Sequence, residues 1–291
     1  MRALVLSGGG ANGAWQAGVI QYLMEQGYQY PIVCGVSVGA LNGAMLCEYP
    51  LGQERAAAER VLQQWKATST NSIYKKWWCN LLPAPLGIFL KGSAYNTEPL
   101  QNIVRSELNV EAVRTSGKHF VVGAVRWGAT SDYQTFDHNF HDLPSAILAS
   151  SAMPIFFEDV KIGDGWYTDG GLRDVTPILA AIKAGATHID VVSCSTGHLT
   201  NGPERPKGLD KLLRSFSIAI DEIDRSDFEI TRHINARVLL GDPEAERKGW
   251  RVVDIRRMSP ENDLGDSLDF SSAKNLAQIG AGYAQAVKSR W

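Results

Sequence analysis

Gly35-Val36-Ser37-Val38-Gly39 is a G-x-S-x-G pentapeptide between an apolar run ending at Gly35 and a helical stretch opening at Val38. A serine at the apex of so tight a turn is lifted clear of the sheet. It stands at the N-terminus of the next helix, where free amides and the helix dipole favour developing negative charge. That is the placement of an acyl-transfer nucleophile. A plain glycine-rich turn shares the same five letters, and the strand–turn–helix setting separates the two. Upstream, Gly8-Gly9-Gly10-Ala11-Asn12-Gly13 fits G-x-G-x-x-G. A dinucleotide site would add an acid about 20 residues on, at the end of the second strand. The second strand ends Val33-Cys34-Gly35 with no acid, and Glu25 falls inside the preceding helix. The same loop suits an oxyanion hole, with backbone amides of Gly8, Gly9 and Gly10 facing the charge formed when Ser37 attacks a carbonyl. A nucleotide site and a structural turn are the competing readings.

The serine needs a proton acceptor. Asp169 followed by His188, His198 or His233 has the chain order of a conventional Ser-Asp-His triad. The architecture opposes it, because in that fold the nucleophile follows several strands, whereas Ser37 follows the second. His119 and His188 each precede a strand and read as ordinary edge residues, while His198 lies in a polar loop. Asp169-Gly170-Gly171 is, taken alone, a turn signal.

The elements that must position these residues are legible from periodicity. Ala3 to Leu6 reads as a strand, followed by a glycine turn and a helix through Val19, Leu23 and Met24 that stops at Gly27. Pro31 to Gly35 and Val38 to about Tyr49 repeat that grammar, which implies a parallel sheet with helices on its faces. Helices are predicted over 54–69, from Glu98 to Leu108 with Thr97 as cap, from Leu143 to Ala149 behind Asp142, and from Pro177 to Gly185 with Thr176 as cap. Strands are predicted at Phe120–Trp127, Tyr133–Phe136, Val160–Ile162, Ile189–Ser193 and Trp250–Ile255. A long amphipathic helix is predicted from Leu209 to Ile234, with Leu212, Phe216, Ile220, Ile223, Ile230 and Ile234 on its inward stripe. A final helix runs from Ala273 to Lys288. No repeat or linker interrupts the pattern, so a single domain over 1–291 is expected.

Gly8–Gly13, Gly35–Gly39 and Asp169-Gly170-Gly171, in that order after a first strand, resemble the patatin-like phospholipases. Ala149-Ser150-Ser151-Ala152-Met153-Pro154 is similar to another recurrent stretch of that family. Leu268-Asp269-Phe270-Ser271 with Gly282-Tyr283 resembles its C-terminal region more loosely. The likeness covers about residues 3–180. It implies a three-layer α/β/α fold with a mainly parallel central sheet. It also implies a Ser37–Asp169 dyad without catalytic histidine, an oxyanion loop at Gly8–Gly10, no cofactor or metal, and lipid ester substrates of the phospholipase A or lysophospholipase type. Gly13, Gly35, Gly39, Gly170 and Gly171 are the motif glycines. Many relatives carry a basic residue where this chain has Asn12.

The bulk composition bounds the rest. With 291 residues, 44% hydrophobic and 21% charged, the chain is an ordinary globular one. Its net charge of -2 gives no basic face for nucleic acid. Cys34, Cys47, Cys79 and Cys194 form no C-x-x-C pair and read as buried small hydrophobes. The apolar start is shorter than a signal-peptide core and no run reaches membrane-spanning length, so a cytoplasmic location is expected. Lys75-Lys76-Trp77-Trp78, followed by Leu81, Leu82, Leu86, Ile88, Phe89 and Leu90, has the composition of a membrane-surface segment or a lid over 73–90. An irregular helix packed on the core is the plainer alternative.

Overall fold

The computed structural model describes residues 1–77, 84–196, 205 and 207–291. Eight strands among them form one sheet: β1 (Arg2–Leu6), β2 (Ile32–Gly35), β3 (His119–Arg126), β4 (Tyr133–Asp137), β5 (Val160–Ile162), β6 (Gly165–Asp169), β7 (His188–Val192) and β8 (Asp254–Met258). Their order is β5-β6-β3-β2-β1-β7-β8, with β4 also paired to β3. The five strands β3, β2, β1, β7 and β8 run parallel. β4 and β6 pair antiparallel with β3, and β5 pairs antiparallel with β6.

Alternation along β1 builds three layers. Leu4 and Leu6 belong to a core shared with α1 (Gly13–Glu25), α2 (Val38–Cys47) and α3 (Glu54–Ala67). Ala3 and Val5 face the opposite way, onto α6 (Ile178–Lys183) and the lower part of α7 (Gly208–Leu239), through Ile178, Ile182 and Ile234. Strands buried on both faces are what parallel connections demand, and β1 and β2 are apolar throughout their central residues for that reason. α4 (Glu98–Glu107), α5 (Leu143–Ser150) and the C-terminal α8 (Ser272–Ser289) complete the main helices. α8 lies on α1 with backbones nearly touching: a Cβ at Gly18 would sit 2.0 Å from the Ile279 carbonyl oxygen, and one at Gly282 2.1 Å from that of Trp15.

Several boundaries differ from the sequence-based expectation. β8 begins at Asp254 rather than Trp250. The Asn235 amide holds both the N–H and the carbonyl of Val253, and Trp250 lies under the Arg237 and Lys248 cations. α6 begins at Ile178, and Thr176 does not cap it; its hydroxyl donates to Asp224 and its N–H to Asp227. Thr97 likewise donates its N–H and hydroxyl to Glu158 instead of capping α4. The inward stripe of α7 carries the predicted Ile234, which is buried, and Phe216, Ile220 and Ile223, which are part-buried, but it is not purely apolar. Ile230 is half exposed, whereas Asp221, Asp224 and Thr231 are buried. Asp224 pairs with Arg257, and Asp227 accepts the Val175 and Thr176 amides, so this face grips the chain just after Asp169. The side chain of Leu212 in the predicted stripe is not described, and Cys79, Trp78, Leu81 and Leu82 fall outside the described residues.

Candidate active site

Open parallel sheets carry their sites at the carboxyl ends of the strands. β1 ends at Leu6 and β2 at Gly35, paired directly to each other, so the glycine loop and the serine turn lie side by side. Ser37 has φ 56° and ψ −129°, a backbone conformation that ordinarily costs a non-glycine residue about 1–3 kcal/mol. Its two glycine neighbours allow the turn to be this sharp. A Cβ on Gly35 would lie 2.3 Å from the Gly39 carbonyl oxygen, and one on Gly39 2.1 Å from that of Leu6.

Two further serines hold the strained peptide. The Ser37 N–H donates to Ser150 Oγ at 2.9 Å, and Ser151 Oγ donates to the Ser37 carbonyl at 3.2 Å. Both stand at the end of α5, whose start is capped by Asp142. The Ala149–Pro154 stretch marked these serines without disclosing that role. Its other end serves the acid, since the Ala152 carbonyl accepts both the Asp169 N–H and the Thr168 hydroxyl.

Asp169 closes β6 and is buried. Its Oδ1 accepts the Gly171 N–H at 2.7 Å. Gly170 must lack a side chain because a Cβ there would meet the Gly123 carbonyl oxygen at 2.4 Å. Burial lifts the carboxyl from 3.8 to about 6, against the opposing pull of the Gly171 amide and of a hydrogen bond from Ser37. The structure therefore brings Ser37 and Asp169 together and tunes the acid towards neutrality. At pH 7 it remains mostly ionised and able to accept a proton.

The glycine loop departs from expectation at one position. Gly8 abuts Ser37, but its N–H donates to the Val175 carbonyl at 3.1 Å, so it is not an available oxyanion donor. The chain arriving from Asp169 takes that bond as it passes β1. The Ala11 N–H is also engaged, by the Ser267 carbonyl. Gly9 and Gly10 line the cavity in front of Ser37, and their amides donate to no group among the described residues. Gly10 adopts φ 57°, and a Cβ on it would strike the Ser267 carbonyl oxygen. Gly13 lies against Val38 at the loop's base, where a Cβ would be 2.2 Å from its side chain. Asn12, in place of a basic residue, accepts a hydrogen bond from Gln278 on α8.

A buried polar chain props up this loop. Gln16 donates to the Val192 carbonyl, Asn42 donates to Gln16 and to the Gly13 carbonyl, and Trp65 Nε1 donates to Asn42. It ties α1, α2 and α3 to the edge of the sheet, and none of its members lay in a recognisable motif. The C-terminal stretch around Phe270 also enters the site, with its ring stacked on Trp65.

Two cavities meet at Ser37. One, about 520 Å³, holds Asp169, Gly9 and Gly10 together with Asn12, Arg214 and Asp221. The other, about 90 Å³, is narrow and mostly apolar, between α2, α3 and α4. Ser37, Gly10, Ser151, Phe157 and Phe270 border both.

No described histidine lines either cavity. His119 and His188 start their strands, at the sheet edge opposite Gly35, and His233 is exposed on α7. His198 lies outside the described residues. Cys34, Cys47 and Cys194 are buried free thiols, with burial raising Cys47 and Cys194 to about 12. Among the described residues, no group of acids, histidines and cysteines has the arrangement of a metal site, and no helix is long and apolar enough to cross a membrane. The 73–90 segment is partly described: Trp77 Nε1 donates to the Ser93 carbonyl, while Phe89 and Leu90 on the helix Ala84–Lys91 are exposed.

The model of the patatin-like phospholipases matches residues 4–182. Among curated proteins, an uncharacterized protein YjjU of Escherichia coli is 26% identical over 226 residues, covering 74% of this chain and 58% of its own length. The lysophospholipase NTE1 of Lodderomyces elongisporus is 21% identical, covering 99% of this chain and 19% of its own. The neuropathy target esterase sws of Drosophila willistoni is 34% identical over 95 residues, which is 32% of this chain and 6% of that protein. The chain thus spans less than two thirds of each of these relatives. Among solved structures, VipD from Legionella pneumophila superposes with a TM-score of 0.48 at 14% identity, over 99% of this chain and 66% of that one.

Proposed function

The chain belongs to the patatin-like phospholipase family, and from that premise we propose that it is a serine acyl hydrolase of lipid carboxylic esters, of the phospholipase A or lysophospholipase type. The observation that carries the reading is the convergence at one cavity of a strained elbow serine, a buried carboxylate beside it, and two glycine amides that donate to no described group. Asp169 accepts the proton of Ser37 as Oγ forms a bond to the ester carbonyl carbon. The Gly9 and Gly10 amides receive the oxyanion. Collapse breaks the C–O bond, and the departing alcohol or lysolipid takes the proton from Asp169. Water then gives a proton to Asp169 and attacks the acyl-enzyme; the acid leaves, and the proton returns to Ser37. A carboxyl near 6 suits this cycle better than one near 4, because proton transfer works best when the base's pKa approaches the working pH.

Exposed Phe89 and Leu90 support transient contact with a lipid surface as the route to substrate. The test is hydrolysis of a short p-nitrophenyl ester and of phosphatidylcholine vesicles by the wild type, Ser37→Ala, Asp169→Asn and His198→Ala. Loss of both activities in the first two variants and retention in the third is the expected result. Full activity in Asp169→Asn with loss in His198→Ala returns the conventional triad. A wild type that binds vesicles but hydrolyses neither substrate leaves a lipid-binding protein on this scaffold.

A further inference from the structure

We propose that Asp227, with Asp174 beside it, is a positioning residue for acyl transfer: it clamps the loop that joins Asp169 to the oxyanion amides and so sets their spacing across Ser37; this rests on the acyl-hydrolase reading above. The two halves of the site come from distant parts of the chain, the oxyanion loop after β1 and the acid at the end of β6. Residues 170–175 bridge them. The near end is fixed on Asp169 through the Gly171 N–H at 2.7 Å, and the Asp174 N–H turns back to the Gly170 carbonyl at 3.0 Å. The far end is the Val175 carbonyl, which accepts the Gly8 N–H at 3.1 Å. That bond orients the peptide from which Gly9 and Gly10 continue along the cavity. Asp227 on α7 holds this far end, its Oδ2 accepting the Val175 N–H at 3.2 Å and the Thr176 N–H at 3.0 Å. Its neighbour Asp224 accepts the Thr176 hydroxyl at 2.5 Å and is held in turn by Arg257. Val175 and Thr176 are buried, so their amides depend on Asp227 for a partner. Cutting Asp227 back leaves the Val175 peptide free to rotate, and the Gly8 anchor moves with it. A misplacement of about 1 Å in groups that hold a transition state costs on the order of a hundredfold in rate. Interactions made only in the transition state show in kcat rather than in KM.

Asp174 makes the clamp sensitive to charge. Asp227 holds the amide directly after it, and Asp174 Oδ1 is buried without a hydrogen-bond partner among the described residues, as is the Tyr133 hydroxyl. Burial first, and the Asp174 charge second, push Asp227 up to about 8, against the pull of the Thr176 and Val175 amides. Burial raises Asp174 as well. The other groups facing the two carboxyls are Tyr133 on β4, Cys34 on β2, Lys183 on α6 and Asp224, whose charge Arg257 balances. One proton held between the two carboxyls lets them lie side by side. Its loss sets two like charges together and drives the clamp apart.

The experiment measures kcat and KM for p-nitrophenyl butyrate from pH 5 to 9.5 in the wild type, Asp227→Ala, Asp227→Asn and Asp174→Asn, with circular dichroism throughout. Asp227→Ala is expected to lower kcat about thirtyfold or more at pH 7 with KM within about twofold. Asp227→Asn, whose amide oxygen can accept both N–H groups, is expected to recover most of that loss. Wild-type kcat is expected to fall on the alkaline side, near pH 8. That fall should be absent from both asparagine variants, which cannot place two charges together, while the acid limb near 6 set by Asp169 stays. Wild-type kcat in a folded Asp227→Ala protein, or an alkaline fall that persists in the asparagine variants, overturns the positioning role and leaves the hydrolase reading intact. A wild type that hydrolyses the ester at no pH overturns both.

Discussion

Asp169→Asn is expected to make the protein more stable at pH 8 while stopping turnover. The acid is buried, and its carboxyl is lifted from 3.8 to about 6, chiefly because the folded site disfavours its charge. A group whose folded pKa is raised contributes its full stability below the unfolded value and loses it as pH climbs through the folded value. The window is therefore about pH 4 to 6, and above it the wild type carries the whole penalty. A shift of about 2 units at 1.36 kcal/mol each amounts to about 3 kcal/mol as an upper bound. Asparagine is nearly isosteric and keeps an Oδ1 for the Gly171 N–H, so little else is lost. At about 2–4 °C per kcal/mol, the variant should melt up to about 6–12 °C above the wild type at pH 8. That advantage should shrink through pH 6 and vanish by pH 4. Thermal melts across this range, with urea titrations at the two extremes, measure it directly. An equal or lower melting temperature at pH 8, or a gain that does not change with pH, refutes desolvation as the source of the raised pKa.

Other outcomes follow from the residues around the dyad. Ser150→Ala leaves the strained Ser37 N–H without its acceptor, at about 1–3 kcal/mol; kcat for a short ester should fall more than tenfold with KM little changed, read by steady-state kinetics. Asn42→Ala strands the Trp65 Nε1–H and breaks the chain to Gln16, so chemical unfolding should show a loss of about 2–4 kcal/mol. Gly39→Ala drives a methyl into the Leu6 carbonyl and should yield little folded protein in circular dichroism, whereas a glycine with open space around it, such as Gly128, should tolerate alanine.

The sheet order beyond β1 and β2 and the exact donors of the loop were not readable in the sequence, for different reasons. Two successive strand–glycine–helix units place Gly8–Gly13 beside Gly35–Gly39 by local grammar alone, and the structure keeps that pairing. Asp169 comes from an antiparallel strand that joins the sheet beyond β3, a long-range pairing that no period announces. Its burial, and hence its raised pKa, depends on those contacts. The Gly8 amide is equivalent to its neighbours in sequence, and only the fold brings the Val175 carbonyl to it. Apolar periodicity was incomplete on α7, where aspartates join Ile234 on the inward face because they bind loop amides and Arg257, a compensation invisible in a hydrophobicity pattern. Trp250–Val253 likewise has strand-forming residues but is held by the Asn235 amide on Val253 and by the Arg237 and Lys248 cations over Trp250.

The most direct measurement is the pH dependence of covalent labelling by a fluorophosphonate, with the modified residue identified by mass spectrometry. Expected is a single adduct on Ser37, formed at a rate that falls below an apparent pKa of about 6 as Asp169 becomes protonated. At pH 8 the rate should drop at least a hundredfold in Asp169→Asn, and the variant should lose the midpoint near 6. An adduct elsewhere, or an Asp169→Asn protein that labels at the wild-type rate with the same pH midpoint, contradicts a Ser37–Asp169 dyad.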